Sequence, residues 1–299
     1  MKIQKLAVIA LGIICPCGLG YATERENDST TSLAELISSI QVKSGGKVAV
    51  SVRHIETNQG GSWRHGFEEM PLYSVFKLPL AVVVLKDVEA GKLQLDQRVS
   101  VKESDVAPGI AANTDRWRNV PLEMTVRQLL ELSLIESDNT SSDKLLQLTG
   151  GPGALTKRIE SLGFDKIKIN VSVKEMSQNK KHLNVATAES IVRLLSGLQQ
   201  GSVLKDEQRT VLFELMGKSR TGLKRLRGLL PAGTAVLDKT GTGPDGSAIN
   251  DVGIVTLPGS GGHLAVAVLI SGSKLPVEEQ EHMIAEIALA SYKLFTPQP

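Results

Sequence analysis

Leu72-Tyr73-Ser74-Val75-Phe76-Lys77-Leu78-Pro79 opens an apolar run that continues as Leu80-Ala81-Val82-Val83-Val84-Leu85. A helix beginning here puts Ser74 and Lys77 on one face, because residues three apart are neighbours on a helical surface. The hydroxyl and the amine can then meet. A serine hydroxyl is a weak nucleophile at neutral pH and needs an adjacent base, and a lysine serves as one only when burial or neighbouring charge depresses its pKa. The segment from Leu78 to Leu85 is dense enough to be buried on all sides, and Gly91 punctuates its end, which predicts a central helix with the pair at its start. Ser-x-x-Lys pairs also occur on solvated helix faces, so the remaining roles have to come from elsewhere in the chain.

The chain has 299 residues, 41% hydrophobic and 22% charged, enough to bury a sizeable core as one large domain or two interlocked ones. Its 34 basic and 32 acidic residues nearly balance at net charge +2, and the basic residues are not bunched, so nothing electrostatic points to nucleic acid. A small-molecule partner fits better. The chain begins like an export signal: Lys2 and Lys5, an apolar run from Leu6 to Ile14, and a small-x-small site at Gly20-Tyr21-Ala22. Cleavage is expected after Ala22, with a periplasmic or secreted product free of the membrane. Pro16 and the small residues after it dilute the run below the roughly 20 apolar residues a membrane span requires. Lipidation at Cys15 or Cys17 is a lesser rival, since neither is preceded by the small residues such processing prefers. Both cysteines lie in the signal, so the mature chain is expected to hold no disulfide and no cysteine-ligated metal. His54, His65, His182, His263 and His282 show no ligand spacing and read as surface or core residues; no cofactor is expected.

Upstream of Ser74, residues 23 to 31 read as polar and flexible, and a helix is predicted from Ser32 through Leu33, Leu36, Ile37 and Ile40. Lys47 to Ile55 alternates as a strand, Asn58-Gln59-Gly60-Gly61 turns, and Ser62 to Phe67 returns. Downstream, residues 93 to 121 carry Pro108-Gly109 and Pro121 and read as a long irregular connection bordering a cleft, with Trp117 slightly more suited to packing than to stacking on a substrate. Helices are predicted over Thr125 to Leu134, Thr140 to Leu148, Ala154 to Leu162, Thr187 to Leu198 and Lys205 to Met216. Ser172 to Asn184 is strongly polar and reads as an ordered surface loop. The period then switches to two over Thr234 to Thr240, Asn250 to Leu257 and His263 to Ser271, before an amphipathic helix from Val277 to Phe295.

Strands at both ends and helices between them predict an α+β architecture. An antiparallel sheet assembled from N- and C-terminal strands is flanked by the terminal helices and carries a large all-helical insert. The expected organisation is a signal over residues 1–22 and one domain over 23–299, in which 32–70 and 218–299 form the α/β part and 71–217 the mostly helical part. Nothing demands more than a monomer.

Three polar clusters follow in order: Ser74-Val75-Phe76-Lys77, Ser137-Asp138-Asn139 and Lys239-Thr240-Gly241. Singly, the second could be a helix cap and the third a strand end with a glycine for close backbone approach. Together they are the signature set of class A β-lactamases and penicillin-binding proteins. From about Ser32 to Phe295 the chain resembles a class A serine β-lactamase, with a β-lactamase/transpeptidase-like fold. Gln128-Leu129-Leu130, Gly150-Gly151-Pro152 and Leu230-Pro231-Ala232-Gly233 are similar to that family, and Asn250-Asp251-Val252-Gly253 resembles its extended-spectrum branch. The resemblance implies Ser74 as nucleophile, Lys77 as base or base-orienter, and Ser137 as the proton carrier towards the lactam nitrogen. It implies that Asn139 holds the acyl side chain and that Lys239, Thr240, Gly241 and Thr242 form the substrate-binding edge. The backbone N–H groups of Ser74 and Thr242 form the oxyanion hole by the same analogy.

The chain departs from the family where a loop glutamate, followed four residues later by asparagine, releases the acyl enzyme. A gapless count from Gly163 puts Val173 at that place; Glu175-Met176-Ser177-Gln178-Asn179 restores the spacing two residues late. With Glu175 in place the chain is a hydrolase of small-molecule β-lactams, conferring resistance. With Val173 there it would acylate and stall, like a D-Ala-D-Ala peptidase or a non-enzymatic β-lactam sensor.

Overall fold

The computed structural model describes residues 20–109, 115–178 and 183–296, with side chains from residue 32 onward. The apolar run of the export signal, Cys15, Cys17 and His182 lie outside the described residues.

Helix α1 spans Gly20–Ser44, so residues 23 to 31, expected to be flexible, are helical. Strands β1 (Lys47–His54) and β2 (Gly60–Arg64) form a hairpin that closes two residues earlier than Ser62. Gly60 decides this: it takes φ +136° and pairs with Arg53, where a Cβ would strike the Val52 carbonyl at 2.1 Å. The C-terminal strands are β8 (Val236–Thr242), β9 (Ala248–Thr256) and β10 (His263–Ser271), while β3 (Met70–Pro71), β6 (Ile167–Lys168) and β7 (Val185–Ala186) form a separate small sheet. The main sheet runs β2-β1-β10-β9-β8 and is antiparallel at every junction, with β8 at its edge.

The period of two in β1 and β10 divides two cores. Val48, Val50, Val52, Val266, Val268 and Ile270 pack under α1 and the closing helix α9 (Val277–Phe295). Ala49, Ala265, Ala267 and Leu269 face the helical insert. Alanines on that face let helix α7 (Ala188–Gln199) approach β1 and β10 closely.

Helix α2 (Lys77–Glu89) is the axis of the insert, and every residue from Lys77 to Leu85 is buried. Pro79 is tolerated because it lies in the first turn of α2, where its missing N–H donor costs no intrahelical hydrogen bond. Around α2 lie α3 (Val126–Ile135), α4 (Asn139–Leu148), α5 (Pro152–Ser161) and α8 (Asp206–Gly217). Two features escape the reading of 93 to 121 and of 172 to 184. Strands β4 (Arg98–Val101) and β5 (Leu122–Thr125) pair across the connection read as irregular, and helix α6 (Val173–Gln178) forms inside the polar loop. The first is a pairing between short segments far apart in sequence, which local periodicity does not record.

Candidate active site

Ser74 sits in a 3₁₀ turn, Tyr73–Phe76, that feeds directly into α2. Two anchors hold this turn against the sheet. The Asn250 side-chain amide on β9 donates to the carbonyls of Pro71 and Leu72, at 2.8 and 3.2 Å. Gly241 on β8 packs onto the same segment so closely that a Cβ would meet the Leu72 carbonyl at 2.3 Å. The glycine of Lys239-Thr240-Gly241 is therefore required by close backbone approach, as its sequence suggested. Tyr73 takes φ +45°, a costly conformation for an aromatic residue and a sign that packing over-determines this corner.

Ser137 and Asn139 come from the tight passage between α3 and α4. Asp138 caps α4, accepting from the Ser141 N–H at 2.7 Å, and its other oxygen accepts from the buried Trp117 indole at 3.1 Å. Trp117 is thus a packing residue. Ser137 itself takes φ +57°, which aims its side chain away from α4 and into the cleft.

Two lysines converge on Ser137. The Lys77 amine donates to the Ser137 carbonyl (2.6 Å) and to Asn139 Oδ1 (2.8 Å), and lies 3.2 Å from Ser137 Oγ. Lys239 Nζ donates to Ser137 Oγ and to the Thr240 carbonyl, each at 3.0 Å. Both lysines are fully buried. Burial holds the Lys77 ammonium's pKa well below the ordinary lysine value, and the Lys239 charge pushes the same way. Burial also lowers Lys239, to about 8, against the opposing pull of Asp238 and Asp251 behind it. The two lysines are joined through one serine hydroxyl.

Ser74, Ser137, Asn139, Thr240 and Thr242 line one cavity of about 340 Å³. Its wall includes residues that sequence reading missed. Thr221 shares a 2.6 Å hydroxyl contact with Thr240. Arg225 is buried, donating to the carbonyls of Gly241 and Asn250, to Thr242 Oγ1 at 2.8 Å, and to Glu281. It braces the β8 edge and adds positive charge beside it. Residues 218 to 233 have no periodicity, so nothing local marks either residue. Because β8 is the sheet edge, Lys239 to Thr242 have no neighbouring strand on the cavity side among the described residues.

Glu175 is not brought to Ser74. Its backbone N–H donates to Ser172 Oγ (3.1 Å) while its carboxylate accepts from the Ser172 N–H (2.8 Å), a reciprocal cap on α6. The residue is exposed and borders a second cavity, with Ser104, Asp105 and Lys174. Val173 is buried in the core of the insert. Asp143 on α4 holds the start of α6, one oxygen accepting from Val173 N–H at 2.8 Å and the other from Lys174 N–H at 2.9 Å. Burial raises the Asp143 pKa, and the two N–H groups only partly offset this.

Such a site can attack a carbonyl with a hydroxyl, move protons through a lysine–hydroxyl–lysine chain and bind an anion along a strand edge. A family model for the beta-lactamase enzyme family matches residues 31–295. The extended-spectrum beta-lactamase PER-1 of Pseudomonas aeruginosa is 35% identical over 234 residues, 76% of either chain. Beta-lactamase VEB-1 of the same organism is 27% identical over 309 residues, 99% of either chain. The crystal structure of TLA-3 extended-spectrum beta-lactamase superposes with a TM-score of 0.83 at 32% identity, covering 90% of this chain and 100% of that one. A beta-lactamase from Chitinophaga pinensis gives 0.82 at 31% identity, covering 89% and 98%.

Proposed function

Given that the chain belongs to the β-lactamase enzyme family and hydrolyses the β-lactam amide, we propose that it does so through an ester on Ser74. The observation that carries this reading is the pair of buried lysines meeting at Ser137 on the wall of the cavity that also holds Ser74. The Lys77 amine, its pKa lowered by burial, takes the Ser74 proton as Oγ attacks the lactam carbonyl carbon. Ser137, polarised by Lys239, passes a proton to the lactam nitrogen as the C–N bond breaks. The backbone N–H groups of Ser74 and Thr242 receive the oxyanion, each worth about 3 kcal/mol in the transition state.

Lys239, Thr240 and Thr242 face the substrate carboxylate, and Gly241 lets their strand lie against the Ser74 turn. Asn139, held from behind by Lys77 and by its 2.6 Å donation to the Pro108 carbonyl, is oriented towards the acyl side chain. Resistance to β-lactams follows from the reaction. The relatives carry the names of β-lactamases, which favours hydrolysis over a peptidase or sensor role. We place the working form outside the cytoplasm, on the strength of the signal-like residues 2 to 22, and take it as a monomer because no feature of the sequence calls for a second copy. No helix among the described residues is long and apolar enough to cross a membrane.

The test is turnover of a chromogenic cephalosporin with mass analysis of the quenched protein. Many equivalents should be hydrolysed, with an adduct on the Ser74 peptide that appears and clears. An adduct that never clears, or no adduct, overturns the reading.

A pH limb is also expected. Lys239 is charged below about pH 8 and neutral above it. Attraction for the substrate carboxylate is therefore present at low pH and lost as pH rises through that value, so kcat/KM should fall on the alkaline side, chiefly through KM. A KM unchanged to pH 10 would remove Lys239 from substrate binding.

A further inference from the structure

We propose that Glu281, on the closing helix α9, is a positioning residue for the substrate carboxylate: it holds Arg225 so that Arg225 turns the Thr242 hydroxyl proton into the cavity. The proposal rests on the reading above that Thr242 faces that carboxylate, and adds the group that aims it.

Every contact that Arg225 makes has a fixed sense, because a guanidinium only donates. Its Nε donates to Glu281 Oε1 at 3.0 Å, with 5% of the arginine side chain and 14% of the glutamate side chain exposed. Its Nη1 donates to the carbonyls of Gly241 and Asn250, at 3.1 and 2.9 Å, two residues that pair across β8 and β9. Its Nη2 donates to Thr242 Oγ1 at 2.8 Å. A threonine oxygen that accepts from arginine keeps its own proton for another acceptor, and no described residue takes it. Thr242 is exposed on the wall of the cavity that holds Ser74, so that proton is the one a bound anion meets.

The guanidinium needs holding because it has other places to go. Asp251 Oδ1 on β9 is buried without a partner, and the Arg225 charge reaches that carboxyl. Asp238 Oδ2 on β8 is in the same condition. Released from Glu281, Arg225 can trade its Thr242 contact for one of these oxygens, and the hydroxyl is then free to turn. Glu281 itself stays put, because Gln280, Met283 and Ile284 bury its stretch of α9. Glu278, nearly a turn earlier, is paired with Lys224 at 3.0 Å and does not replace it.

The experiment is steady-state hydrolysis of a penicillin by the full chain, with melting curves alongside. The variants are Glu281→Ala, Glu281→Met, Glu281→Gln, Thr242→Val and Thr242→Val combined with Glu281→Met. Methionine fills the glutamate's space without an acceptor and guards against a fold lost through a cavity. Both cuts should raise KM about fivefold to tenfold, the worth of one aimed hydrogen bond, and leave kcat within about twofold. E281Q keeps the oxygen that accepts from Nε and should stay within about twofold of the wild type in both constants. T242V should raise KM by a similar factor, and adding E281M to it should cost nothing more, since the hydroxyl being aimed is gone. A KM unmoved in the folded Glu281 cuts, an E281Q as weak as they are, or an additive double variant would each overturn the proposal. A wild-type KM in T242V would sink the carboxylate reading of Thr242 and the proposal with it. A raised KM in T242V beside an unmoved one in the Glu281 variants sinks the proposal alone.

Discussion

Ser74→Ala is expected to abolish both the protein adduct and steady-state turnover, by roughly the 10⁶-fold seen when a serine hydrolase loses its nucleophile. The fold makes this loss hard to rescue. Ser74 is the hydroxyl that the 3₁₀ turn, Asn250 and Gly241 jointly press against the cavity. The neighbouring hydroxyl of Ser137 is held between two lysines and cannot take its place without losing both contacts. Binding should survive, because Lys239, Thr240 and Arg225 are untouched. Measuring retained affinity for a β-lactam by calorimetry alongside lost turnover checks the assignment. Residual Ser74→Ala acylation at another residue would contradict it.

Lys77→Met should separate activity from stability. Losing the base is expected to slow acylation by about 10² to 10⁴-fold. The same change removes a fully buried amine from the core. Methionine has a similar length, so little cavity is left; the unpaired Ser137 carbonyl and Asn139 oxygen border the cleft, where water reaches them. We expect a net gain of about 1–2 kcal/mol at pH 7, or a few degrees in Tm.

The sign of the pH dependence follows from linkage. The folded pKa of Lys77 lies below its unfolded value, so between the two the unfolded chain binds more protons and the wild type gains stability as pH rises. The advantage of Lys77→Met should therefore shrink from pH 7 towards pH 10, which thermal melts across that range would show. A variant less stable than wild type at pH 7 would mean that the lost hydrogen bonds outweigh desolvation.

The loop around Val173 shows where local text misleads. Glu175 to Asn179 has the spacing of a releasing glutamate and its asparagine, yet Ser172-x-x-Glu175 also spells a reciprocal helix cap, and the cap is what forms. The capping reading depends on contacts three residues apart, whereas the catalytic one needed the loop to turn towards Ser74. Asp143 decided the loop's path by gripping two backbone N–H groups from thirty residues away. Nothing in the leucine-rich pattern of α4 marks an aspartate for that task.

The amino-acid sequence alone determined the antiparallel strands at the two ends, the buried helix behind Ser74, and the three clusters that meet at Ser137. Each is written in short-range periodicity or in fixed spacings, because side-chain alternation and helical neighbours are local properties. Only the tertiary structure decided that both lysines lose contact with water, that Arg225 braces the sheet edge, and that Glu175 faces away from the nucleophile. Burial and charge at a point in space depend on segments far apart in the chain, and those are set when the sheet and the helical insert close on one another.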